Sequence, residues 1–181
     1  MKVSIIMNTT KLVTELHRVY ENRTVEPVPG AKTIYLGAGW FSDAQERTLL
    51  SVAVALLENE TVADVHVPLL HQANGEPFDL NGEFNPEFKW SYETFNSDIS
   101  AIENTDVTIG VLTAGNEDSG TAYELGYARA LGKPRVGVFT GTEPLNLMTA
   151  LGVTTSVSDP EKLRLIDFRH IMATQFEGRV M

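Results

Sequence analysis

Residues Asp106–Phe139, DVTIGVLTAGNEDSGTAYELGYARALGKPRVGVF, set two short apolar runs on either side of one longer helical stretch. The runs DVTIGVL and RVGVF are near-continuous in β-branched and other apolar residues, the pattern of strands covered on both faces. Between them, Ser119–Leu131 reads as a helix that stops at Gly132-Lys133-Pro134, because proline cannot continue it. Thr121 and Glu124 spell T-x-x-E, so the first expectation for Glu124 is a capping box, in which a glutamate satisfies a backbone N–H at a helix start.

The alternation extends in both directions from this unit. TIYLG (Thr33–Gly37) reads as a strand, Ser42–Glu58 as a helix, DVHVPL (Asp64–Leu69) as a strand and Pro86–Glu103 as a helix. Short β-branched runs between longer helices require a parallel sheet with helices on both faces, so the predicted class is α/β, a doubly wound, flavodoxin-like sheet. Ligands bind such sheets beyond the carboxyl ends of the strands. There the loops GAGWFSD, PLLHQANG, TAGNEDSG and TGTEPLNLM are expected to gather.

The domain is expected to run from Lys32 to Met181. Ahead of it, residues 1–31 form an extension: Asn8–Glu21 has the apolar spacing of an amphipathic helix on Leu12, Val13, Leu16, Val19 and Tyr20, and VEPVPGA reads as a linker. A chain of 181 residues with 43% hydrophobic and 21% charged residues suits one domain with a real core. The net charge of -10 argues against nucleic acid and anionic membranes as partners, since both draw on clustered positive charge. The absence of cysteine excludes disulfides, thiolate nucleophiles and Cys-based zinc sites. His17, His66, His71 and His170 show no metal-binding spacing, so no metal is expected. MKVSIIM is too short an apolar run for a signal-peptide core, and the expected location is cytoplasmic.

Leu70–Trp90 is long, polar and rich in Asn, Gly and Pro, yet it carries Phe78, Phe84, Phe88 and Trp90. It divides between a surface loop and a lid. No phosphate loop is present: GAGWFSD has G-x-G without the third glycine of a dinucleotide fingerprint. Gly37 and Gly39 serve either a tight strand-to-helix turn or close approach to a ligand, with Trp40 and Phe41 as flat walls.

Three carboxylates remain. Asp98 sits on the flank of its helix's apolar stripe, Asp118 is suited to cap the helix that carries Glu124, and each has that structural reading beside a chemical one. One chemistry suited to carboxylates without a metal is glycosyl transfer, in which one attacks an anomeric carbon while an acid protonates the leaving group.

TIYLGAGWF, the NSD of Asn96–Asp98, DSGTAYELGYARALGKP and LNLM follow the order and spacing found in the nucleoside 2-deoxyribosyltransferases. The resemblance runs from about Lys32 to the C-terminus and is closest to the lactobacillus-type enzymes that accept purine and pyrimidine deoxynucleosides. It implies a cofactor-free enzyme that transfers 2′-deoxyribose between free nucleobases through a covalent deoxyribosyl-glutamate intermediate, in nucleoside salvage. By the same resemblance Glu124 matches the nucleophile, Asp98 and Asp118 the acids that protonate the departing base or position sugar hydroxyls, and Tyr35 the tyrosine that orients the nucleophile. Gln72 matches a residue reading the base edge, and Phe41 and Trp90 the aromatic walls. Asn146 matches a residue reaching the sugar from a neighbouring subunit, with Met148 close by at the substrate, which implies a homo-oligomer, hexamer or dimer.

The chain departs from the family at both ends. Relatives commonly finish on an aromatic residue whose terminal carboxylate lies at the site, whereas this one finishes FEGRVM, leaving the backbone carboxylate of Met181 for that role. Two other readings compete with transfer: a nucleoside or nucleotide N-glycosidase with water as acceptor, and a non-catalytic nucleotide-binding domain in which Glu124 only caps its helix.

Overall fold

The computed structural model describes residues 2–74 and 85–181. In chain order the elements are α1 (Lys2–Glu21), β1 (Lys32–Ala38), α2 (Asp43–Leu57), β2 (Val62–His66), α3 (Phe88–Asn104), β3 (Val107–Thr113), α4 (Ser119–Ala130), β4 (Arg135–Thr140), α5 (Leu147–Ala150) and β5 (Thr155–Val157). Short 3-10 turns add Pro68–Leu70 and Pro160–Leu165. The strands form one sheet in the order β2-β1-β3-β4-β5, and every neighbouring pair is parallel. The order reverses between β1 and β3, which opens a crevice between the loops that follow them.

Strand alternation sorts the side chains into two layers. Ile34 and Leu36 of β1, with Val107, Ile109 and Val111 of β3 and Val136 and Val138 of β4, join Leu49, Val52 and Leu56 of α2 in the main core. The intervening Tyr35 goes to the opposite face, where it packs with Ile102 of α3 and Ala128 of α4. Leu112 and Phe139 also turn to that face and meet Leu125 of α4. Gly110 of β3 lets α4 settle close, since a Cβ there would lie 2.5 Å from Leu125 Cδ1. Each buried Leu, Ile or Val contributes about 1.5–3 kcal/mol relative to exposure, so the layers fix where Tyr35 and α4 meet.

Helix α1 starts earlier than the sequence pattern suggests, at Lys2 rather than Asn8. Leu12 and Leu16 are buried in the same cluster as α2, with Val13, Val19 and Tyr20 packed against it. The Tyr20 hydroxyl donates to the carbonyl of Val65, and Arg23 donates to those of Ala63 (2.8 Å) and Val62 (2.5 Å), all on edge strand β2. Strand β2 ends at His66 rather than continuing through DVHVPL, because Pro68 brings no N–H to the ladder and opens a 3-10 turn instead. Among the described residues, no helix is long and apolar enough to cross a membrane.

Candidate active site

Tyr35 reaches α4 because β1 alternates, and its ring is fully buried. The Tyr35 hydroxyl donates to Glu124 Oε1 at 2.7 Å. The second carboxylate oxygen, Oε2, is buried and has no partner among the described residues. Gly37, two residues along β1 on the same face as Tyr35, leaves the space that this oxygen occupies: a Cβ there would stand 2.1 Å from it. The glycine is needed for clearance and not for backbone freedom, since its φ is negative.

The capping-box reading of Glu124 is corrected by this geometry. Asp118 is the N-cap of α4, and its Oδ2 accepts from the Thr121 backbone N–H at 2.7 Å and the Thr121 hydroxyl at 2.8 Å. With the helix start already satisfied by Asp118, the Glu124 side chain, a turn further in, points to Tyr35.

Asp98 comes from α3, where Trp90, Thr94 and Asp98 recur four residues apart and so share one face. That face is pinned to the start of the Leu70–Trp90 segment: the Trp90 indole N–H donates to the Ala73 carbonyl at 3.0 Å, and the Ala73 N–H donates to the Thr94 hydroxyl at 3.2 Å. Asp98 Oδ1, like Glu124 Oε2, is buried without a partner among the described residues. Phe78 and Phe84, the centre of the expected lid, lie outside the described residues, and Phe88 is exposed.

These groups surround one cavity of about 220 Å³. Glu124, Asp98, Asp118, Gln72, Phe41 and Trp90 all line it, together with Trp40, Thr94, Gly120 and Thr121. Phe41 stacks on Trp40 at 4.7 Å between ring centroids, and the Phe41 N–H is held by Gln45 Oε1 at 3.1 Å. Thr94 was not singled out from sequence, although the four-residue spacing from Trp90 to Asp98 passes through it.

Burial dominates the electrostatics. It pushes Glu124 up to about 7, against the Tyr35 hydrogen bond, and the charges of Asp98 and Asp118 add to the rise. Burial also pushes Asp98 up to about 6, with His71 pulling the other way. Tyr35 is raised well above the usual phenol range, by burial first and then by the Glu124 and Asp98 charges, so it stays a donor. Two carboxyl groups that both exchange a proton near neutrality, each with an unpaired oxygen, suit a site that alternates between nucleophile and acid.

Asn146, Met148 and Met181 are brought together elsewhere. They line a separate cavity of about 810 Å³, which among the described residues shares Asp118 alone with the first. Asn146 caps α5, its Oδ1 accepting from the Met148 N–H at 2.9 Å, while its own N–H donates to Glu117 Oε1 at 2.8 Å. The C-terminal segment is tied alongside, with the Leu147 N–H donating to the Met181 carbonyl at 3.2 Å.

The family model for nucleoside 2-deoxyribosyltransferase matches residues 34–172. A nucleoside deoxyribosyltransferase of Lactobacillus leichmannii is 35% identical over 154 residues, covering 82% of this chain and 98% of the relative. One from Lactobacillus johnsonii is 32% identical, covering 79% of this chain and 99% of its own length. The solved 2-deoxyribosyltransferase of the psychrotolerant bacterium Bacillus psychrosaccharolyticus is similar with a TM-score of 0.67 at 26% identity, over 78% of this chain and 98% of that one.

Proposed function

The chain belongs to the nucleoside 2-deoxyribosyltransferase family, and from that premise we propose that it moves 2′-deoxyribose between nucleobases through a covalent ester on Glu124. In the first half-reaction a Glu124 oxygen bonds to C1′ as the C1′–N bond breaks, and the departing base takes a proton from Asp98. In the second, an incoming base displaces the ester and returns the proton, so nothing is consumed but the exchange of bases. Asp118 binds a sugar hydroxyl or base N–H, Gln72 reads the base edge, and Phe41 and Trp90 provide stacking faces. The role is salvage, making one deoxynucleoside from another and a free base.

The observation that carries this reading is the Tyr35–Glu124 hydrogen bond, with Oε2 left unpaired on a carboxylate that lines the cavity. A capping glutamate would spend its oxygens on the helix start, which Asp118 already serves. The productive form carries one proton between the two carboxyls, on Asp98, with Glu124 ionised. Glu124, at about 7, holds that proton more readily than Asp98, at about 6, so the productive form is the minor one of the two near neutrality, and the Tyr35 hydrogen bond, which favours ionised Glu124, raises its share.

Asn146, Met148 and the Met181 carboxylate act in the site of a neighbouring subunit, so the working form is a homo-oligomer. Their gathering in a second cavity, apart from the one that Glu124 lines, supports this. Closure by a second subunit also keeps water from the ester and favours transfer over hydrolysis.

The test is to incubate the protein with deoxyinosine and free adenine or cytosine and to separate the products by chromatography. Deoxyadenosine or deoxycytidine is the expected product. Hypoxanthine and free sugar alone would make it a hydrolase, and unchanged deoxyinosine would make it a binding domain.

A further inference from the structure

Gln72 stands in the cavity wall between two fixed points of backbone. On its N-terminal side the 3-10 turn Pro68–Leu70 follows β2, with the Leu70 N–H donating to the Val67 carbonyl and the His71 N–H to that of Pro68, each at 2.9 Å. The His71 ring stacks on His66, the last residue of β2, at 4.0 Å between centroids, which ties the end of the turn to the sheet. On its C-terminal side both polar groups of the Ala73 backbone are taken by α3. The Ala73 N–H donates to the Thr94 hydroxyl at 3.2 Å, and the Ala73 carbonyl accepts from the Trp90 indole N–H at 3.0 Å.

The two arms of this clamp differ in what else they do. Trp90 is buried and gives the cavity an aromatic face, whereas the proposed reaction gives no part to Thr94, one turn further along α3. Ala73 is half-buried, and a backbone N–H drawn out of water needs an acceptor. Thr94 is that acceptor, reaching across 21 residues of sequence. A valine in its place would keep the shape and lose the lone pairs.

We propose that Thr94 is a positioning residue for base binding: by holding the Ala73 N–H, together with Trp90 on the Ala73 carbonyl, it fixes where the Gln72 amide stands at the base edge. The proposal rests on the function proposed above, with Gln72 facing the base. A clamp on the backbone sets the place of the amide and leaves its last torsion to turn, since terminal torsions of this kind are broad. The amide has an acceptor oxygen on one side and a donor nitrogen on the other. Adenine presents an amino donor beside a ring-nitrogen acceptor, and hypoxanthine a carbonyl acceptor beside a ring N–H donor, so the two need the amide in opposite orientations. Thr94 therefore strengthens the binding of either base by the same factor and does not choose between them.

The measurement is the dissociation constant of free adenine and of free hypoxanthine, by equilibrium dialysis, for Thr94→Val, Thr94→Ser and the unchanged protein. Thr94→Val is expected to weaken both bases equally, by about two- to tenfold for the loss of one hydrogen bond, and Thr94→Ser to restore them. A loss confined to one base would make the hydroxyl a direct base contact, and unchanged constants would leave Ala73 held by Trp90 alone; either overturns the proposal. The double variant Thr94→Val/Gln72→Ala is expected to bind adenine as Gln72→Ala does, because Thr94 acts through Gln72. A further loss in the double variant, as general damage to the cavity would give, also overturns it. A readout in the resting protein separates this inference from the transferase reading: exchange of the Ala73 amide hydrogen, followed by NMR, is expected to quicken in Thr94→Val and to return in Thr94→Ser. An unmoved exchange rate overturns the clamp, whereas the expected exchange and base binding without transfer of deoxyribose would strike the transferase reading and leave the clamp standing.

Discussion

The Tyr35 hydroxyl, buried beneath the sheet's carboxyl end, donates to Glu124 Oε1 at 2.7 Å and thereby joins β1 to α4 at the site. This hydrogen bond opposes the rise that burial imposes on Glu124. In Tyr35→Phe the carboxyl therefore holds its proton above about 7, and the alkaline limb of the rate profile, which follows the higher of the two carboxyl groups, moves to higher pH. A hydrogen bond to a charged group is worth about 1.5–3 kcal/mol, so kcat at neutral pH is expected to fall about 10- to 100-fold. Initial rates of base exchange across the pH range check it; an unmoved alkaline limb would detach Tyr35 from Glu124.

Glu124→Gln removes the nucleophile while keeping its shape, and transfer is expected to fall by several orders of magnitude. Stability should move the other way. Glu124 is raised in the folded state, so its contribution is fully present below the unfolded value and is lost as pH rises through about 7. Glutamine has no such loss, so the variant is expected to match the parent near pH 4 and to exceed it at pH 8 by on the order of 2 kcal/mol. Urea melts at the two pH values read this directly, and equal stability at both would mean that the carboxylate is not destabilised by burial.

Gly37→Ala tests clearance at the site. The added Cβ would stand 2.1 Å from Glu124 Oε2, so the carboxylate must swing away from Tyr35. Overpacking of this kind costs about 1–3 kcal/mol of stability. The rate is expected to drop about 100-fold or more, because misplacement by an ångström is enough for that. A folded Gly37→Ala protein with normal kcat would remove Gly37 from the site.

Subunit sharing can be tested by complementation. Glu124→Ala and Asn146→Ala are each expected to be nearly inactive alone. Co-assembled from a mixed expression, they form some sites with an intact Glu124 from one chain and an intact Asn146 from another. Recovery of activity well above either parent is the expected result, and none in verified mixed oligomers would place both residues in one chain's site.

The α/β alternation was legible because its signals are local. Ser42 and Glu58 bound α2 as the pattern suggested, and the runs around Tyr35, Ile109 and Val136 all became central strands. The turn of the chain at Pro68 was less so, since DVHVPL is equally apolar on both sides of the proline. Helix α5, of four residues, and strand β5, of three, are too short for a period to show. In the site, Asp98 and Trp90 share a helix face that spacing already implies. The Tyr35–Glu124 bond joins residues 89 apart, and only strand alternation together with sheet order brings them into contact. The His66–His71 stack was invisible for a different reason: a 3-10 turn folds the chain back on itself, and no periodicity marks such a reversal.

The N-terminal segment has a consequence for handling the protein. An unguarded edge strand offers its backbone to any other chain and is a route to aggregation. Here Tyr20 and Arg23 occupy the carbonyls of Val62, Ala63 and Val65 on the edge strand β2, while Leu12 and Leu16 cover the apolar surface beneath. A version trimmed to begin at Lys32, near the start of the family match, would bare both at once. Such a trimmed chain would keep every residue of the site and lose its colloidal stability, so residues 1–31 belong in any preparation meant for assay.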